Sequence, residues 1–217
     1  WTALVLDTNG NGKRDAYAEP DAPANPKLDK RINAGFYAVM PNPADGSVWG
    51  SVFSYPGSIV RLAPGANPPA TAMAEIYTVP LPGYGVRGAD IDRNGVVWVS
   101  LGSGHLGEFD RRKCKGPLNG PEATGDHCPE GWTFHPLPGP AFSNFPGFSA
   151  ESSYYTWVDQ HNTSGLGANV PVATGNLSDG LHALVNGQFI TMRVPYPLGF
   201  YAKGLDGRID DAAAGWK

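Results

Sequence analysis

A tryptophan that closes a short apolar strand, followed two places later by a small or acidic residue, occurs three times in this chain: VWGS at Trp49, VWVS at Trp98 and TWVD at Trp157. Ser51, Ser100 and Asp159 occupy the matching place. A proline pair travels with the motif, as Pro80 and Pro82, Pro136 and Pro138, and Pro195 and Pro197. The tryptophans are spaced 49 and 59 residues apart, the leading prolines 56 and 59. Two landmarks in fixed order at periods near fifty predict a repeat architecture. One built from strands and turns predicts an all-β β-propeller, with about three to four four-stranded blades in this chain.

Glycine and proline, 29 and 21 of 217 residues, are both above average usage, and no stretch sustains the apolar period of a helix, so helices should be nearly absent. The repeat overrides the length-based prior of one or two domains: residues 1–34 read as an N-terminal strand, a loop and a connector, and residues 35–217 as propeller blades. A net charge of −4 without a basic cluster argues against nucleic acid and acidic surfaces as partners. No run of about 18 apolar residues is present to insert in a membrane. A first residue Trp1 without a visible signal peptide suggests a processed product or an excerpt from a longer chain.

Each unit can be divided into strands. RGADIDRNGVVWVS reads as a strand, a turn at Asn94-Gly95 and a second strand, because Asn-Gly supplies the positive φ that tight hairpins need. GSGHLGEFDRRK then alternates Leu106 and Glu108 with Gly107 and Phe109, as a half-exposed third strand would. In the first unit the turn falls at Asp45-Gly46, the second strand over 48–51 and the third over 58–62. The outer strands are AMAEIYTV, WTFH and QFITMRV, each ended by a proline pair that cannot donate to a ladder. The three tryptophans are assigned to the core between blades. Ser51, Ser100 and Asp159 read as groups near the axis that hydrogen-bond across the channel or take part in catalysis.

The order of outer strand, Pro-x-Pro, Gly-containing stretch, strand, Asp/Asn-Gly and Trp strand resembles the blades of the virginiamycin B lyase (streptogramin lyase) family over roughly residues 35 to 210. That resemblance implies a secreted propeller, and in the lyases a histidine base with a magnesium ion held by acidic and histidine side chains. Here VRGADI places Arg87 where that histidine would stand, and a guanidinium is no general base near neutral pH, so the lyase site is not carried over. CKGPLNGP and GFYAKGLDGRIDD look most like bacterial proteins in which such a propeller follows a carboxypeptidase-regulatory-like β-sandwich.

Among the five histidines, His161 lies two residues beyond Asp159, and His182 belongs to a nearby strand of the same unit. Asp159, His161 and His182 are the candidates for a metal or acid–base cluster; the competing reading has each histidine simply hydrogen-bonded. His105, His127 and His135 fall in loop or outer-strand settings and are expected to be inert.

The sharpest local signal is DTNGNGKRD. Asp7, Asn9, Asn11 and Asp15 occupy positions one, three, five and nine of a calcium loop, Gly12 makes the sharp turn, and the carbonyl of Lys13 is a further ligand. Position twelve is Ala18 rather than a bidentate glutamate, with Glu19 one place late and Asp21 further on. Such truncated loops resemble those of dockerins, and the ion would be structural; the alternative is an exposed polar turn.

Cys114 and Cys128 bracket a turn-rich insertion and are expected to form a loop-closing disulfide, which implies a secreted or periplasmic location. Two glycosylation sequons, at Asn162 and Asn176, matter only in a eukaryotic source. Two functions follow. One is an extracellular binding or scaffolding propeller for a small-molecule or protein ligand, with a structural calcium. The other is a metal-dependent lyase or hydrolase acting in the central channel. Counting units predicts an incomplete arc, in which FYAKGLDGRIDD begins another blade at an Asp206-Gly207 turn, Trp216 comes too late to match, and further blades come from missing sequence or a partner chain.

Overall fold

The computed structural model describes residues 1–23 and 25–205; the expected Asp206-Gly207 turn and Trp216 lie outside the described residues. Three short strands come first: β1 (Val5–Leu6), β2 (Tyr17–Ala18) and β3 (Asp29–Arg31). The first blade is β4 (Phe36–Pro41), β5 (Val48–Val52), β6 (Ser58–Ala63) and β7 (Met73–Thr78), and the second is β8 (Val86–Ile91), β9 (Val97–Leu101), β10 (His105–Phe109) and β11 (Trp132–Pro136). A hairpin, β12 (Ala141–Phe142) and β13 (Phe145–Ser149), precedes the third blade, formed by β14 (Thr156–Asp159), β15 (Val170–Gly175), β16 (Gly180–Val185) and β17 (Gln188–Arg193). Each blade is an antiparallel meander in sequence order, so the fold is an all-β arrangement of propeller blades.

The predicted turns are where the sequence puts them. Gly46 and Gly95 have φ of 71° and 80°. The Asp92 carboxylate accepts the amide hydrogens of Asn94 and Val96, which fixes the entry to β9. First strands converge, with β8 packed against β4 on one side and β14 on the other. Met40, Trp49 and Tyr77 of the first blade meet Ile91, Val99 and Phe109 of the second in one buried cluster, and Trp98 and Leu106 meet Val158, Ala173 and Leu184 in the next. Trp49 and Trp98 are therefore core between blades, as their recurrence predicts.

The third tryptophan corrects the repeat. Trp157 is on β14, the first strand of its blade, whereas Trp49 and Trp98 are on second strands. Side chains alternate along β14, so Val158 turns to the second blade and Trp157 to the opposite face, half-buried with Val170, Val172 and Leu166. Asp159 accordingly does not match Ser51 and Ser100. A second correction concerns β10, which is buried at every position except Glu108, because the middle blade is covered on both faces.

The N-terminal strands do not make a blade of their own. β1 runs parallel to β7, with Leu6 opposite Ala74, and pairs with β3, giving a seven-stranded sheet in the order β2-β3-β1-β7-β6-β5-β4. Leu4, Leu6, Ile32 and Ala34 cover Val60 and Val52. The insertion between β10 and β11 is closed by the Cys114–Cys128 disulfide, with Cα atoms 5.1 Å apart. Such a closed loop contributes about 3 kcal/mol in the chain-entropy account. The insertion reaches over to the first blade, where Gly120 N–H donates to the Asp7 carbonyl at 2.7 Å and Thr78 N–H to the Gly125 carbonyl at 2.9 Å.

Candidate functional site

The loop after β1 curls as its sequence predicts. Gly10 and Gly12, at φ of 77° and 73°, turn the chain so that successive amides face one carboxylate. Asp7 Oδ1 accepts from Gly10 N–H at 2.7 Å and Asn11 N–H at 3.2 Å, and Oδ2 from Gly12 N–H at 2.7 Å. Asn9 and Asn11 both donate their side-chain amides to Asp15 Oδ2, at 2.9 and 2.5 Å, which holds the Asp15 carboxyl below the usual range. Asn9, Asn11 and Asp15 thus meet through their side chains, while the Asp7 carboxylate and the amide oxygens of Asn9 and Asn11 accept main-chain amides of the loop. Among the described residues, no three His, Cys, Asp or Glu side chains are grouped to hold a metal by themselves. The amide oxygens of Asn9 and Asn11 accept the main-chain amides of Asn11 and Lys13, at 3.1 and 2.8 Å.

One member of the site has no local motif. Asp29 on β3 is 1% exposed, and its Oδ2 accepts Asp15 N–H at 2.7 Å. Its Oδ1 is buried without a hydrogen-bond partner. Burial raises the Asp29 pKa, the amide of Asp15 pulls it back, and the charges of Asp7 and Asp15 push it up again. A lone acid in LDKR is the only sequence signal, and its partners come from a segment more than ten residues earlier. Glu19, the late glutamate of the motif, is turned away into an ion pair with Arg31 at 2.7 Å.

Of the three candidates for acid–base chemistry, Asp159 takes the main-chain amide of His161 into its loop cap, while His182 belongs to a separate network. Asp159 is fully buried and caps the loop after β14, accepting from Thr163 N–H, Ser164 N–H and the Ser164 hydroxyl at 2.6–2.9 Å. Burial alone would raise its pKa, but the Ser164 hydroxyl and the loop amides outweigh this and hold it below the ordinary value. His161 is exposed. His182, fully buried on β16, stands opposite Ala173, which stands opposite Thr156, three residues from Asp159. At strand rise this separates His182 from Asp159 by roughly 10 Å along the blade.

His182 is instead bound to a residue that sequence reading passed over. Its Nε2 meets Ser178 Oγ at 3.1 Å and Glu151 Oε2 at 3.2 Å, and its Nδ1 meets Thr191 Oγ1 at 3.0 Å. Glu151 Oε1 also accepts the amides of Ser152 and Leu177, both at 2.8 Å. Serine, histidine and glutamate in contact suggest a nucleophile relay, but a relay needs the acid and the nucleophile on opposite ring nitrogens. Ser178 and Glu151 share Nε2, so Ser178 does not stand where such a nucleophile would; the hydroxyl on the opposite ring nitrogen is that of Thr191. His105 is also a correction, since it lies on β10 as a buried third-strand residue bonded to Ser103 Oγ at 3.0 Å. His127 sits in the disulfide loop, and His135 is on β11 beside Glu108.

Near the axis, Ser51 Oγ accepts Ala38 N–H at 3.0 Å, whereas Ser100 Oγ crosses to the third blade, meeting Ser153 Oγ at 2.7 Å and Thr156 Oγ1 at 2.8 Å. Both are buried structural hydroxyls. Arg87 donates to the Ser153 carbonyl at 2.9 Å and lies 4.4 Å over the Tyr154 ring. It also lines a cavity of about 460 Å³ walled by Tyr84, Phe142, Phe145 and Phe148, with Glu151 at one side. Phe142 and Phe145 are more than half exposed.

Among solved structures, the chain is similar to a virginiamycin B lyase from Staphylococcus aureus, at 15% identity over 73% of this chain and 41% of that one, with a TM-score of 0.48. It is similar to a streptogramin B lyase at 12% identity, over 89% and 58%, with a TM-score of 0.49. It is similar also to YCF48 solved with a D1 peptide, at 11% identity over 69% and 36%, with a TM-score of 0.41. The chain spans about half the length of the lyase structures. No family model and no curated protein matches it. Identities this low do not carry an activity from one chain to another.

Proposed function

We propose that this chain is a secreted or periplasmic binding or scaffolding module whose N-terminal loop is held by a structural calcium ion. The observation that carries the binding reading is the cavity beside Arg87. Its wall of three phenylalanines and a tyrosine, with one fixed cation, suits a ligand that joins an apolar ring to an anionic group. The disulfide supports an oxidising compartment. Further blades, from additional sequence or a partner chain, would lie beside β4, where Phe36, Tyr37 and Val39 are exposed. The lyase or hydrolase alternative needs Asp159, His161 and His182 to share one ion, and nothing in their geometry favours it.

Anilinonaphthalene sulfonate has both features of the expected ligand. It is expected to bind the folded chain saturably at one site, with affinity falling about tenfold in Arg87→Ala and in Phe145→Ala, both still folded at the assay temperature. That fall corresponds to the roughly 1.4 kcal/mol of one lost contact. Equal fluorescence titrations for all three proteins would remove the cavity from consideration. Metal analysis of the purified protein is expected to find calcium alone; a second, weakly held divalent ion would revive the lyase reading.

A further inference from the structure

The loop lacks the carboxylate that normally closes a calcium site from position twelve, since Ala18 stands there. Ala18 is on β2, and β2 runs parallel to β3 with Tyr17 opposite Asp29 and Ala18 opposite Lys30. The pairing therefore brings Asp29 onto the neighbouring strand, one register place from the vacant twelfth position. Its carboxylate accepts the amide hydrogen of Asp15, at the end of the loop's ligand run. Of its two oxygens, one is used by Asp15 N–H and the other is buried with no partner. A buried carboxylate oxygen without a partner is costly unless a cation joins it.

We infer that Asp29 is the missing acidic ligand, so that the calcium site is completed in trans across the sheet by β3. This rests on the calcium reading of the loop given above. The ion then has a structural task that a self-contained loop lacks: it ties residues 7–15 to β3, and β3 is the strand through which β2 joins the sheet of the first blade. Asp7, through its carbonyl, and Gly10, through close approach to Gly120, also touch the disulfide insertion. Loop, β3 and insertion become one unit when the ion binds.

The test uses the full chain after chelator treatment, titrated with calcium chloride by calorimetry and followed by amide exchange. The wild type is expected to bind one calcium, and Asp29→Asn, which keeps the acceptor for Asp15 N–H, to bind at least tenfold more weakly. In the wild type, calcium should slow exchange at Lys30 and Arg31 as well as in the loop. If the wild type binds no calcium, the loop reading itself falls and Asp29 falls with it. Where the wild type binds and Asp29→Asn binds equally well, the loop acts alone and the role of Asp29 is overturned. If the variant does not fold, the wild-type exchange decides: protection confined to the loop overturns the inference, and protection extending to β3 supports it.

Discussion

Replacing Trp49 by alanine is expected to lower the free energy of unfolding by about 3–5 kcal/mol, while the same change at Trp157 costs about 1–2 kcal/mol. Trp49 is 1% exposed and packs on Tyr77 and Phe109, with ring centroids 6.0 and 6.1 Å away. A buried indole removes about 200 Å² from water, or roughly 5 kcal/mol of transfer free energy, and neighbours anchored on three strands cannot collapse into the space left. Trp157, on the outward side of β14, is only half-buried and leaves a dent rather than a cavity. Urea unfolding of the two variants measures the difference directly. Equal losses would mean that Trp157 belongs between blades after all, and that the third unit follows the register of the first two.

Glu151→Ala is expected to cost about 3 kcal/mol, since it strips a buried histidine, a hydroxyl and two amides of their common acceptor. Its pH dependence has a definite sign. Burial pushes the Glu151 pKa up, but the Ser178 hydroxyl, the Leu177 amide, His182 and the Ser152 amide together bring it below its ordinary 4.5. A carboxylate whose pKa is depressed in the folded state stabilises the fold fully above the unfolded value, and loses that contribution as pH falls through the folded one. The Tm gap between wild type and variant should therefore be constant near neutrality and shrink as pH drops below about 4.5. A gap that stays constant down to pH 3 would mean that the Glu151 pKa is the same in the folded and unfolded chain, so that its charge adds nothing to stability; a gap that widens on acidification would mean a raised pKa.

Local chemistry was legible in the sequence wherever one short segment decides the structure. The Asp45-Gly46 and Asn94-Gly95 turns need positive φ, the proline pairs need a strand end, and DTNGNGKRD needs a curled loop; each appears in place. The tryptophan repeat misled in the third unit because a Trp ending a strand has the same local pattern on a first strand as on a second. Only pairing with β15 tells the two apart. Asp29 and Glu151 escaped notice for a related reason. Their roles come from strands and loops far off in the chain, and no spacing rule marks a carboxylate whose partners arrive by tertiary folding. The cavity beside Arg87 depends on the β12–β13 hairpin, whose phenylalanines read in sequence as ordinary apolar residues.

The seven-stranded sheet also sets an order of assembly. The middle blade is a run of neighbouring strands, and its first three can zip up from short turns as they emerge, each closed at small entropic cost. β1 has no such option: its parallel partner is β7, so Leu6 must wait until Ala74 has been placed. β1, made before its partner, is then among the last segments of this sheet to dock, and until it does the outer edge of β7 and the apolar patch around Val60 stand open to any other chain with a free strand.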